Sequence, residues 1–445
     1  MSETYHFIGI AGAGMSALAR VLATAGETLS GSEMSDSPTR VALEHELAIT
    51  IPIGHRAENL GDATLVVASA AIKDSNPEMV AARERGIPII SRAEMLGRVM
   101  ALHSERIAVS GTHGKTTTSA MLSVVLADAG LDPTALIGGD VPGWGGNARV
   151  GHSGAFVAEA CEAYGSFLHL SPTISIITNV EADHLDFYET FDNILAAFRT
   201  FLAATTRLAV LNADDPHTTN LRDSAGRVAT FGLGPNADVR GDLIDGDGNR
   251  FNVTAFGKPL GEAALNVPGV HNVRNALSVI AVALELGVPF DAIVRGLSKF
   301  TGTGRRFERL GETASGVQVV DDYAHHPTEI RATLAAAKTA FPGRRIVAVF
   351  QPHLPSRTRD LMDEFAASFT DADVVVITDI YLSREAAVPG LDGGVLASKI
   401  PGDVTYVADK HDLPSHLAAI TKPGDVVFTL GAGDIRAAGE GLLAT

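Results

Sequence analysis

The run Ser110-Gly111-Thr112-His113-Gly114-Lys115-Thr116-Thr117 lies between an apolar strand-forming stretch and a stretch of helical periodicity. In that setting glycines let backbone amides approach phosphate oxygens, and the helix N-terminus adds positive potential. Lys115 neutralises phosphate charge and the Thr116 hydroxyl can reach Mg²⁺. Only two residues separate Gly111 from Gly114, where the standard phosphate loop has four. A glycine-rich strand–helix turn without a ligand is the bland alternative. Lys-Thr-Thr at the point where a helix must begin favours the phosphate.

Acidic and imidazole groups form a second constellation. Glu159 ends an apolar run at Ala155–Ala158, and Glu162 follows three residues on. Asn179, Asp183, His184 and Asp186 follow another run at Ile174–Thr178. In a parallel sheet the C-terminal strand ends share one edge, so these groups can converge on the phosphate loop. A carboxylate and an imidazole per ion suit Mg²⁺ that also shares substrate phosphates. Taken singly, each is more often a solvated loop residue. No lysine occurs between Lys115 and Lys258, so a mechanism needing a second central lysine, free or carbamoylated, has no candidate.

Gly9-Ile-Ala-Gly12-Ala13-Gly14-Met15-Ser16 follows a strand and starts a helix, as a dinucleotide fingerprint does, with Glu33 or Asp36 available as the later acid. The pattern is compatible with NAD and with a nucleotide sugar. Toward the C-terminus, Asp321-Asp322-Tyr323-Ala324-His325-His326-Pro327 and Gln351-Pro352-His353-Leu354-Pro355-Ser356-Arg357-Thr358-Arg359 each sit at a strand end. Zinc at the paired histidines is a minor option, because no further ligand has metal-site spacing. Arg357 and Arg359 could clamp a carboxylate or phosphate, although a solvated first helical turn serves equally for Arg359. Cys161 is most simply a small buried residue near the site.

The elements that must position these groups alternate. Strands are expected at His6–Ile10, Leu65–Ala68, Pro88–Ile90, Ile107–Ser110, Ala155–Ala158, Ile174–Thr178 and Leu208–Leu211, with helices at Met15–Ala25, Pro77–Arg85 and Thr116–Ala129. Small antiparallel strands are expected from Ala237 to Leu265, then a helix at Asn272–Leu286. Alternation resumes with strands at Val317–Asp321, Ile346–Phe350, Val374–Thr378 and Asp425–Leu430, and helices at Pro327–Ala340 and Arg357–Ser368. This predicts three α/β domains, 1–104, 105–308 and 309–445: a Rossmann-like first, a P-loop-type ATPase second and a Rossmann-like third.

Composition agrees. A chain of 445 residues calls for several domains, and 46% hydrophobic with 20% charged residues is ordinary for a globular protein. No segment approaches the ~18 apolar residues of a membrane helix, and no basic region precedes an apolar one at the N-terminus. A single cysteine agrees with a reducing cytoplasm. The net charge of −17 argues against a general nucleic-acid or membrane surface.

The motifs taken in order resemble the Mur and folylpolyglutamate ligase family over nearly the whole chain. They are Gly9–Ser16, Gly111–Thr118, Glu159–Phe167, Asn179–Asp186, His271–Asn275, Gly304–Glu308, Asp321–Glu329, Phe350–Arg357 and Gly431–Asp434. The run Asp-Asp-Tyr-Ala-His-His-Pro-Thr-Glu is similar to that of the alanine-adding member, or of the relative that recycles murein tripeptide. The resemblance implies ATP and Mg²⁺ as cofactors, and UDP-N-acetylmuramate and L-alanine as substrates joined through an acyl phosphate. It implies a UDP site at Gly12, Ala13, Gly14, Met15, Ser16 and Ser69. It implies an ATP site at Gly111–Thr117 with His271, Asn272, Asn275, Arg306 and Asp322. Thr116 would hold one Mg²⁺, and Glu159 and His184 the second; Lys115, His184 and Glu159 would be catalytic. Tyr323, His325 and Arg357 would shape the amino-acid pocket, and the third domain would close over the second about a hinge near Gly302–Phe307. The chain departs from the family pattern at Leu354, where arginine is frequent, and at Ala70, where many members have a second serine. A nicotinamide-dependent oxidoreductase, resting on Gly9–Ser16 alone, and a nucleotide-switch module are the readings outside this class.

Overall fold

The short apolar runs of the first hundred residues are strands: β1 (Thr4–Ile8), β2 (Thr28–Ser32), β3 (Leu65–Ala68) and β4 (Ile89–Ser91). All are parallel, in the order β2-β1-β3-β4. The computed structural model describes residues 3–244 and 249–445. Strand β1 stops two residues short of the expected Ile10, because Gly9 turns the backbone at φ +76°. The helix Ala13–Thr24 that follows buries Met15, Leu18, Val21 and Leu22 on one face against the sheet. A further helix, Arg92–Ala101, begins directly after β4, held by a capping box of Ser91 and Glu94.

The next sheet carries β5 (Glu105–Ser110), β6 (Thr134–Val141), β7 (Gly146–Arg149), β8 (Ala155–Glu159), β9 (Ile174–Ile177), β10 (Leu208–Asn212), β11 (Val228–Gly232) and β12 (Val239–Leu243). Their order is β12-β11-β10-β9-β5-β8-β6-β7. Only β7 is antiparallel to its neighbour within this run. Strand β5 lies between β8 and β9, so three adjacent strand ends open on one edge. Ile107, Ala108 and Val109 of β5 are fully buried, which fixes where the loop after Ser110 emerges. The first sheet and the second as far as Arg240 belong to one compact unit, Met1–Arg240 with Ala255–Gly257 and Ala276–Gly296.

The second unit comprises Gly241–Thr254, Lys258–Asn275 and Leu297–Thr445. The expected small strands include β13 (Arg250–Ala255) and β14 (Lys258–Ala264). Residues 245–248 of that expected stretch lie outside the described residues, as do the first two residues of the chain. Then come β15 (Glu308–Glu312), β16 (Gln318–Asp322), β17 (Ile346–Phe350), β18 (Val374–Ile377), β19 (Val404–Tyr406) and β20 (Val426–Leu430), in the order β15-β16-β20-β17-β18-β19. Strand β15 is antiparallel and the others are parallel. The chain runs outward from β17 to β19 and returns as β20 beside β16. That reversal opens a crevice at the C-terminal strand ends, where open α/β sheets bind ligands. The single helix expected over Arg357–Ser368 is two, Pro355–Asp360 and Met362–Ala366, interrupted at Leu361 with φ −113° and ψ 26°. Among the described residues no helix is long and apolar enough to cross a membrane.

Candidate active site

The phosphate loop leaves β5 through two glycines that the backbone requires. Gly111 has φ +125°, and a Cβ there would lie 2.2 Å from Thr178 Oγ1. Gly114, at φ +81°, turns the chain into the helix Lys115–Asp128, with Thr116 and Thr117 in its first turn. The exit of β9 braces the loop from outside. Thr112 N donates to Asn179 O at 3.0 Å, His113 N to Asn179 Oδ1 at 2.9 Å, and Asn179 Nδ2 back to His113 O at 3.0 Å. Asn179, grouped with the acidic cluster in the sequence, therefore shapes the loop.

Lys115 folds over this loop. Its Nζ donates to Gly111 O at 2.6 Å and Thr112 O at 2.9 Å, and lies 2.9 Å from Glu162 Oε2. Burial pulls the ammonium pKa down, but Glu162, Cys161 and Glu159 together outweigh it and the net shift is upward. Lys115 is thus a fixed positive charge. Tyr188, whose hydroxyl donates to Glu162 O at 2.5 Å, holds Glu162 in turn. Burial and the Glu162 charge push that phenol up to about 12.

The other carboxylate serves the neighbouring hydroxyl. Glu159 Oε2, at the end of β8, accepts from Thr116 Oγ1 at 2.8 Å and from Gly138 N at 2.8 Å. Gly138 allows that approach, since a Cβ would stand 2.3 Å from the same oxygen. His184 Nε2 lies 3.9 Å from Glu162 Oε1 and 3.8 Å from Asp183 Oδ2. His184 has φ +55°, an uncommon conformation for a non-glycine residue. Asp186 is exposed on the short helix Leu185–Tyr188. The convergence expected from parallel strand ends therefore joins Lys115, Thr116, Glu159 and Glu162, with His184 beside Glu162. The sequence showed Glu162 only as one more carboxylate and gave Gly138 no distinguishing mark.

The first glycine turn is a separate feature of the same unit. Gly12 N donates to Gly9 O at 3.1 Å, and Met15 N and Ser16 N donate to Gly12 O, so the turn runs directly into the helix Ala13–Thr24. Gly14 makes room for Arg92: a Cβ there would meet its Nη1 at 2.9 Å. Asn147 Nδ2 donates to Ala13 O at 3.4 Å. Glu33 accepts from Ala11 N at 2.9 Å, while Asp36 pairs with Arg40. Ser69 opens the turn after β3, its carbonyl accepting from Ile72 N at 3.0 Å.

In the second unit Asp322 ends β16. Its carboxylate accepts from Phe307 N at 2.7 Å and Ala324 N at 2.8 Å. Burial nevertheless pushes its pKa up to about 6, against the Arg306 guanidinium and those two amides. Arg306 lies 3.6 Å from Glu329 Oε1, and both Arg305 and Arg306 cover the Tyr323 ring. His271, Asn272 and Asn275 begin the helix Val270–Glu285, where Asn275 Nδ2 donates to Asn272 Oδ1 at 3.2 Å. Burial, then the Arg274 and Arg306 charges, push the His271 imidazole down to about 4. His325 Nδ1 lies 2.9 Å from Tyr323 O, whereas His326 caps the helix Pro327–Ala340. The adjacent histidines thus do different work. Arg357 is buried, with Nη1 3.4 Å from His353 Nδ1; Arg359 is exposed and pairs with Asp360.

Parallel-rich α/β sheets, a short glycine loop with paired carboxylates and a Rossmann-like C-terminal sheet define an α/β enzyme. Three family descriptions match in succession: the Mur ligase family catalytic domain at residues 4–104, the Mur ligase middle domain at 109–283 and the Mur ligase glutamate ligase domain at 305–433. The chain belongs to the Mur ligase family. It is 48% identical to the UDP-N-acetylmuramate–L-alanine ligase of Trichlorobacter lovleyi, over 99% of this chain and 98% of that one. Among solved structures it is similar to the UDP-N-acetylmuramate–alanine ligase of Thermotoga maritima, with 32% identity, a TM-score of 0.81 and coverage of 99% and 98%. It is also similar to a murein peptide ligase of Psychrobacter arcticus, with 26% identity, a TM-score of 0.72 and the same coverage.

Proposed function

We propose that the chain is an ATP-dependent ligase joining L-alanine to the lactyl carboxylate of UDP-N-acetylmuramate, a step of peptidoglycan precursor synthesis in the cytoplasm. The observation that carries this is the double pairing at the phosphate loop, Glu159 on Thr116 and Glu162 on Lys115. The full-length likeness to an alanine-adding relative names the substrates. We assign 1–104 to the UDP-substrate domain, around Gly12–Ser16 and Ser69. Residues 105–308 form the ATP domain and 309–445 the amino-acid domain.

The chemistry follows from what a carboxylate lacks. An ionised carboxylate has no usable leaving group, so its oxygen first attacks the γ-phosphorus of ATP, expelling ADP and leaving an acyl phosphate. The alanine amine, as its free base, then attacks the acyl carbon. Collapse of the tetrahedral adduct expels phosphate, the nitrogen loses a proton, and the amide remains. Phosphoryl transfer is catalysed mainly by positioning and charge neutralisation. Lys115 supplies a fixed charge over the loop, and Glu162 is the positioning residue that holds it there. Thr116, Glu159 and His184 offer the hard oxygen and imidazole donors that suit Mg²⁺, which when bound neutralises phosphate charge. His271, Asn272, Asn275, Arg306 and Asp322 are assigned to the nucleotide, and Tyr323, His325 and Arg357 to the amino acid.

Phosphate release with ATP and UDP-N-acetylmuramate against L-alanine, L-serine, glycine and murein tripeptide tests the assignment. L-Alanine is expected to drive turnover. Stimulation by tripeptide alone would establish the recycling ligase instead. Phosphate release that needs neither muramate nor amino acid would mark a nucleotide switch.

A further inference from the structure

A cavity of about 460 Å³ opens in the second unit, lined by Gln351, Thr378, Asp379, Tyr381, Ala408 and Lys410 among others. It lies just past the C-terminal ends of β17, β18 and β19, the edge where open parallel sheets take ligands. Its size falls within the roughly 300–1,000 Å³ of small-molecule sites.

Three observations say what it would take. Gln351 is 3% exposed, and its Nε2 donates to Asp434 Oδ1 at 3.0 Å. That bond fixes the amide, and the opposite atom, Oε1, is buried with no donor. A buried acceptor without a donor is costly, so Oε1 marks a place for an N–H or O–H group. Gly433 lets the backbone pack close to this oxygen, since a Cβ there would stand 2.3 Å from it. Second, Lys410 Nζ is paired with the other oxygen of Asp434, so one carboxylate orients both the amide and the ammonium. An ammonium has three donors and only one is committed to Asp434. Third, the wall continues into the cluster assigned to the amino acid. Tyr381 stacks on His353 at 5.7 Å, His353 faces His325 at 6.0 Å, and Arg357 adjoins His353.

A ligand that gives an anion to Lys410 and an N–H to Gln351 carries both groups on one small frame, as an α-amino acid does. We propose that this cavity is the carboxylate end of the amino-acid site. Lys410, positioned by Asp434, anchors the α-carboxylate, and Gln351 Oε1 accepts from the amine. This assignment rests on the ligase reading above. The bland alternative is a surface ion pair that stiffens the turn after β19.

The test uses the full chain with ATP and UDP-N-acetylmuramate saturating, and compares L-alanine with L-alaninamide, which has the amine and lacks the carboxylate. Losing a charge-assisted hydrogen bond should raise the KM for L-alanine roughly 10- to 100-fold in Lys410→Met. The KM values for L-alaninamide, ATP and UDP-N-acetylmuramate should stay within about 3-fold, and Lys410→Arg should recover most of the loss. An unchanged KM for L-alanine, or equal weakening of alanine and alaninamide, would overturn the proposal. Unmoved KM values for ATP and UDP-N-acetylmuramate show that the variant is folded; if Lys410→Met does not fold, Lys410→Gln serves the same comparison. A wild-type chain with no alanine-dependent turnover would instead overturn the ligase reading itself.

Discussion

Glu162 Oε2 and Lys115 Nζ stand 2.9 Å apart at the phosphate loop, with their side chains 4% and 12% exposed. Removing one partner of a buried pair leaves an uncompensated charge, at a cost of about 3–5 kcal/mol. Glu162→Gln keeps the shape and removes the charge, so urea unfolding should show a loss of about 3 kcal/mol. The Lys115 pKa is raised on folding, so this stability is present throughout the range below that of an ordinary lysine. It fades only as pH climbs through the raised value. A deficit below about 1 kcal/mol at pH 7 would contradict the buried pair.

In the proposed ligase, Lys115→Ala removes the charge assigned to the transferred phosphoryl group. Turnover should fall by about 10²- to 10³-fold, the scale of losing a preorganised electrostatic group. Binding of UDP-N-acetylmuramate, assigned to Gly12–Ser16, should be unaffected by calorimetry. Loss of both would indicate a general collapse of the fold.

Gly138→Ala tests the approach of β6 to Glu159. The new methyl would stand 2.3 Å from Glu159 Oε2, so the carboxylate must leave Thr116. A displacement of about 1 Å can cost ~10²-fold in rate. Steady-state kinetics should show that fall together with a raised Mg²⁺ requirement; unchanged kinetics would remove Glu159 from the metal assignment.

Asp322 gives a pH signature. Its carboxyl, pushed up to about 6, binds a proton more tightly in the folded chain than in the unfolded one. The stabilisation is full below about pH 4 and is lost as pH rises through about 6, on the order of 3 kcal/mol in all. His271, pushed down to about 4, has the opposite slope: its contribution is present above its ordinary value and lost as pH falls. Asp322→Asn should remove the first slope and keep the second, so the wild-type-minus-variant difference isolates Asp322. A pH-independent difference would contradict the raised pKa.

Much of this was legible in residue types and spacing, for identifiable reasons. Gly111, Gly114 and Lys115 stood out because a strand, two glycines and a helix start leave few other uses for that order. Glu159 and His184 could be placed because strand ends of a parallel sheet share an edge. The partnership of Glu162 with Lys115 was hidden because it depends on a local twist, Tyr164 at φ +54° and Gly165 at φ +66°, that no periodicity announces. Gly138 was hidden because its value lies in the absence of a Cβ opposite a carboxylate 21 residues later. The break at Leu361 escaped the helical pattern because apolar spacing continues across it. In the second unit, Asp322 meets Phe307 N only because Arg305 and Phe307 adopt positive φ, which their residue types disfavour.

The central claim is that the lactyl carboxylate is activated as an acyl phosphate. The direct measurement uses UDP-N-acetylmuramate with both carboxylate oxygens replaced by ¹⁸O, turned over with ATP and L-alanine, followed by mass analysis of the released phosphate. One ¹⁸O should appear in each phosphate and one should remain in the new amide. Unlabelled phosphate beside an amide formed at full rate would contradict the account.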